Sequence, residues 1–140
     1  MTEITAPRSL PFERWPAHDR AAWERACAPG QRLRRGGLAS HLKPVTRKDL
    51  AQRYGYFLDF LARNNRLDPD AMAGAHVIAA HVDGFVAELT ARVSSVTVYG
   101  SVYKLRRITQ LIAPENDLSW LREIENDLAF LMKMRPNSID

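Results

Sequence analysis

The chain has 140 residues, 46% hydrophobic and 26% charged, the balance of one globular domain rather than a disordered chain. No apolar run approaches the roughly 18 residues that span a bilayer, and Met1 to Pro11 lacks the regions of a secretory signal. The net charge of +4 is uneven: residues 1–70 hold 13 Lys/Arg against 8 Asp/Glu, whereas residues 71–140 hold 7 against 8.

Prolines at 7, 11, 16, 29, 44, 69, 114 and 136 mark the breaks. Residues 1–14 read as a loose, flexible arm, residues 15–135 as the folded domain, and residues 136–140 as a tail. A short helix is expected after Pro16, with Asp19 in its first turn and Trp23 inward, stopping before Pro29-Gly30. Gln31–Leu42, with Gly36-Gly37, reads as an extended loop. Thr46 can cap a second helix, whose Leu50, Tyr54, Phe57, Leu58 and Leu61 share a face. Lys48, Gln52, Asp59 and Arg63 fall opposite, and Asn64-Asn65 stops it.

A third helix is expected over Ala79–Arg92, with Val82, Phe85, Val86 and Leu89 inward. Ser94-Ser95 caps a fourth, striped by Val98, Val102, Leu105, Ile108 and Ile112. Its β-branched Val96, Val98 and Val102 weaken helix propensity, but the stripe persists. Asn116 or Asp117 opens the last helix, with Leu118, Leu121, Ile124, Leu128 and Leu131 inward. No strand pattern and no internal repeat is present. The expected fold is all-α, a small bundle of four to five helices.

Several chemistries are set aside. His76 and His81 are five apart, so they do not share a helical face as an i, i+4 metal pair does, and His18 and His41 lack partners. Glu123, Glu125 and Asp127 alternate along a helix and read as a solvated face rather than an acid/base pair. Cys27 reads as a small buried side chain, and as a lone cysteine it forms no internal disulfide and no cysteine-rich zinc scaffold. There is no Gly-rich phosphate loop, nucleophile elbow or H-E-x-x-H. No metal, no cofactor and no enzymatic activity are expected, and the expected compartment is a reducing cytoplasm.

The basic run is the positive signal. From Gln31 to Lys48 there are six bases (Arg32, Arg34, Arg35, Lys43, Arg47 and Lys48) and no acid. Such a run is either a phosphate-holding field or a plain solvated loop.

Two segments add to it. One runs from Leu42-Lys43-Pro44-Val45-Thr46-Arg47-Lys48 through Gln52-Arg53-Tyr54, then Phe57-Leu58-Asp59-Phe60-Leu61 and Asn64-Asn65-Arg66-Leu67. The other is Val93-Ser94-Ser95-Val96-Thr97-Val98-Tyr99-Gly100-Ser101-Val102-Tyr103. In this order they resemble the amino-terminal core-binding domain of tyrosine recombinases, the phage-integrase family. Trp15-Pro16-Ala17 with Asp19-Arg20 and Trp23, and Ile112-Ala113-Pro114 with Leu118-Ser119-Trp120-Leu121, extend the resemblance over roughly residues 15–135.

The resemblance implies a SAM-like helical domain that clamps a recombination site, with two helices at the major groove. The Thr46 helix would offer Thr46, Arg47, Lys48 and Gln52, and the Ser95 helix would offer Ser95, Thr97, Tyr99, Ser101 and Lys104. Arg34, Arg35 and Lys43 would add phosphate contacts. Helix N-termini and short hydroxyls suit phosphate, whereas Tyr103 is better placed in packing. Gly100 leaves no side chain on that face.

The family's cleaving half is not matched. Its H-x-x-R motif is absent, since the four histidines are followed at +3 by Ala21, Pro44, Ala79 and Gly84. The expected function is therefore non-catalytic binding of double-stranded DNA, with other recombinase protomers as further partners. The alternative is a helical protein–protein interaction module, served by Trp120, Phe130 and Met134 in the acidic second half.

Overall fold

The computed structural model describes residues 6–134, which form five α-helices and no strand. After a 3-10 turn at Phe12–Arg14 come α1 (Ala17–Cys27), α2 (Pro44–Arg63), α3 (Ala79–Arg92), α4 (Ser95–Ile112) and α5 (Ser119–Met134). The all-helical bundle read from the apolar spacing is the fold. The tail at 136–140 and the first five residues of the arm lie outside the described residues.

The bundle is organised around α4, which packs on each of the other four helices. Val98, Val102, Leu105, Ile108 and Ile112 recur every three or four residues, so one face of α4 is buried along its length. They meet Tyr54, Phe57, Leu58 and Leu61 of α2, and Val82, Phe85 and Leu89 of α3. Burial of this stripe outweighs the few tenths of a kcal/mol by which β-branched residues disfavour a helix.

Helix starts are set by backbone chemistry. α2 begins at Pro44, two residues before Thr46, because proline's missing N–H is one of the groups a first turn leaves unbonded anyway. Thr46 therefore does not cap, and Lys43 takes the cap position without a side-chain bond. Ser94 caps α4, its hydroxyl accepting from the Thr97 amide at 3.3 Å, while Ser95 is already helical. α5 starts at Ser119 rather than at 116 or 117, and the Asp117 carboxylate accepts the Ser119 amide at 3.0 Å. That contact, made at the protein surface, holds the Asp117 carboxyl below the usual range.

The arm is not loose where it is described. Leu10 is buried and its amide donates to the Gly55 carbonyl at 3.0 Å, while the Ser9 hydroxyl donates to the Gln52 carbonyl at 2.8 Å. Gly55 allows this approach, since a Cβ there would lie 2.9 Å from the Leu10 carbonyl oxygen. Trp15 completes the anchor, with its indole donating to the Leu10 carbonyl. The loop after α1 is likewise tied down. Gly37 and Ala39 donate to the carbonyls of Ala28 and Ala26, and Gln31–Arg34 closes as a tight turn instead of an extended loop.

Two polar residues, Asp59 and Glu125, depart from the solvated positions read from the sequence, and Asp19 is buried as well. Asp59 is buried and receives the Arg8 amide and the Arg63 guanidinium, which also grips Glu88 through two bonds of 2.8 Å. Glu125 is buried against Arg106 of α4. Asp19 is buried and accepts the Gly74 amide at 2.9 Å, fastening the 68–77 loop to α1; burial pushes its carboxyl up. Conversely Leu131, expected inward, is 54% exposed, at the rim of a groove it shares with Thr90, Val93, Ser95 and Val98.

Candidate nucleic-acid interface

Pairing across the bundle fixes how α2 and α4 lie together. Asp49 of α2 meets Lys104 of α4, and Arg53 meets Ser101. One number rises as the other falls, so the helices are antiparallel. The N-termini of α2 and α4 therefore lie at opposite ends of the pair. The residues named on them form a stripe along both helices, not one cluster at two adjacent termini.

At the α2 end, Arg34 and Arg35 are exposed in and beside the Gln31–Arg34 turn, next to Arg32. The tip residue Leu33 is 93% exposed. Lys43 and Lys48 are exposed as well, and Thr46 is half-buried in the first turn of α2. None of these cations forms an ion pair among the described residues. Arg47 differs from its neighbours. It is half-buried, and its guanidinium reaches back to the Ser40 carbonyl at 3.5 Å. One residue along a helix is a turn of about 100°, so Arg47 and Lys48 leave different faces. The half-buried thiol of Cys27 is pushed up by burial, with the positive charge of Arg47 acting the other way.

Along the middle of the stripe, Gln52 is exposed and Lys104 is held by Asp49 at 2.5 Å. Ser101, read from the sequence as a DNA-facing hydroxyl, is only 6% exposed and receives Nη1 of Arg53 at 3.4 Å. It lies at the α2–α4 seam, where a small polar side chain fits beneath a guanidinium. At the far end, Ser95 and Thr97 are half-buried in the first turn of α4, and the Thr97 hydroxyl pairs with that of Ser94 at 3.1 Å.

The outward face of α4 carries Gly100, above which a Cβ would meet nothing within 4 Å, together with Tyr103 and Arg107. Tyr99 and Tyr103 lie parallel with centroids 6.4 Å apart, and Arg107 donates to the Tyr103 hydroxyl at 3.0 Å. Tyr103 is therefore not a core aromatic. It is half-buried and also lies beneath the Arg106 guanidinium. Arg53, Arg107 and Arg92 are surface cations that the sequence pattern alone did not single out. The signal for Arg107 was present, since it follows Tyr103 by four residues.

The histidines also differ in arrangement from their spacing. His76 lies in the loop before α3 rather than on it, so its ring comes within 6.2 Å of His81. His76 Nε2 accepts the Asp68 amide at 2.9 Å, and the His81 Nδ1 faces the His76 carbonyl. These contacts order the loop. Among the described residues no helix is long and apolar enough to cross a membrane. No family model, curated protein or solved structure matches the chain.

Proposed function

We propose that this chain is a non-catalytic module that binds double-stranded DNA, in the manner of the tyrosine-recombinase core-binding domains that its sequence resembles. One observation carries the reading: Arg32, Arg34, Arg35, Lys43 and Lys48 are exposed and without ion-pair partners among the described residues, in a segment with no acid. Five unneutralised cations at one end of α2 form a field suited to a polyanion, and release of counterions from DNA would drive the association. Arg107 extends positive charge onto the outward face of α4, whereas Lys104 is already paired with Asp49. Contacts of this kind go to phosphates, so affinity is expected to depend weakly on sequence.

Fluorescence anisotropy of a labelled random duplex, titrated at several salt concentrations, tests the reading. Binding whose logarithm falls linearly with log salt supports it. No binding at low salt rejects it. The second reading, a helical interaction module, is favoured by Phe130, Leu131 and Met134, all exposed on the last turns of α5. A concentration-dependent mass in the absence of DNA would favour that reading instead.

A further inference from the structure

Between α2, α3 and α4 lies a cleft of about 290 Å³. Its walls bring together Gln52, Arg53 and Tyr56 of α2, Arg92 at the end of α3, and Thr97 and Ser101 on successive turns of α4. Phe85 and Leu89 form an apolar floor. No carboxylate lines it among the described residues. The polar groups are two guanidinium forks, three hydroxyls and one amide, a set dominated by donors.

The cations are incompletely neutralised. Asp49 approaches Arg53 only to 3.7 Å, while it lies at 2.5 Å from Lys104, so one carboxylate serves two cations. Arg92 has no ion-pair partner among the described residues. The acid one turn before it, Glu88, is engaged through both oxygens by Arg63. Arg53 is also aimed: its Nη1 bond to the buried Ser101 hydroxyl holds the guanidinium at the seam. A pre-positioned fork, a second uncompensated fork and several hydroxyl donors suit an anion with more oxygens than a carboxylate offers.

The geometry points to this cleft as a seat for a phosphate group, with Arg53 and Arg92 as its clamp. The apolar floor suits a carbon body attached to that phosphate, so the ligand is a phosphodiester of a nucleic-acid backbone or a free organic phosphate. The backbone source rests on the DNA reading; the phosphate seat itself does not.

The test uses the full chain, with inorganic phosphate as probe and chloride added to hold ionic strength constant. Amide and arginine Nε signals are followed by nuclear magnetic resonance. Saturable shifts at Thr97, Ser101 and Arg53 are expected, with affinity lowered at least about tenfold by Arg53→Gln and by Arg92→Gln. Arg92 is exposed, so its variant reports on binding even if Arg53→Gln unfolds. A response no different from chloride overturns the inference, whatever DNA does, as does an Arg92→Gln variant that binds phosphate like the parent. Given phosphate binding, a short duplex that displaces phosphate identifies the backbone as source. A duplex that leaves these signals unmoved identifies a free phosphate, and the DNA reading then stands or falls on anisotropy alone.

Discussion

Arg106 of α4 grips both carboxylate oxygens of Glu125 of α5 inside the interface between the two helices, where the residues are 7% and 3% exposed. The carboxylate holds the Arg106 guanidinium above its already high range, so Arg106 stays charged in the helix interface. This bond is the polar anchor of a helix that also buries Leu121 and packs Trp120, Ile124 and Leu128 against the core. Charges taken from water depend on each other, and losing one partner strands the other.

Glu125→Ala is therefore expected to destabilise the fold by about 3–5 kcal/mol in urea denaturation. The double variant Arg106→Met, Glu125→Leu should recover most of that loss, because the stranded charge is gone. A single variant that melts like the parent would show that α5 is held by its apolar contacts alone.

The exposed cations give a second expectation. Replacing Arg34, Arg35 and Lys48 together with Ala should weaken duplex binding and reduce the salt slope by roughly 0.9 for each phosphate no longer neutralised. Arg47→Ala should change the slope less than any of these three, since its guanidinium is turned toward Ser40. Equal effects from all four positions would mean that Arg47 swings out to the nucleic acid.

The start of α4 tests capping against packing. Ser94→Ala removes the acceptor for the Thr97 amide and should cost about 1 kcal/mol. Leu105→Ala, at the centre of the core, should cost about 2–5 kcal/mol. Leu131→Ala should stay within about 0.5 kcal/mol, because that side chain is exposed. Thermal and urea midpoints of the three variants rank these effects directly.

His76 makes stability depend on pH. Burial, reinforced by the neighbouring His81, holds the His76 ring below the usual histidine range, with Asp68 opposing. The unfolded chain therefore binds a proton before the folded one, and stability falls as pH drops from about 6.5 toward the lower folded value. Protonation would also remove the Nε2 acceptor for the Asp68 amide. His76→Gln, which keeps a neutral acceptor, should flatten the difference in unfolding free energy between pH 7 and pH 5. An unchanged pH profile in that variant would place the dependence elsewhere.

Helical periodicity and capping chemistry determined the five helices, the bounds of α3, the cap at Ser94 and the stop at Asn65, whose positive φ ends α2. These are local properties: a 3.6-residue stripe and a hydroxyl three residues from an amide are complete within one segment. The exposed cations of 31–48 were legible for the same reason, since a run without acids has no local partner. Tertiary structure decided the rest. Glu125 is buried because Arg106, 19 residues away, meets it across a helix interface, and Asp59 because Arg8, 51 residues away, folds onto α2. Spacing places such residues on the polar side of a helix but does not reveal which of them another helix will cover. The same holds for the cleft of Arg53, Arg92 and Ser101, which exists only because α2 and α4 run antiparallel with the end of α3 between them. Burial of a polar group is a property of two surfaces, and one segment of sequence describes only one of them.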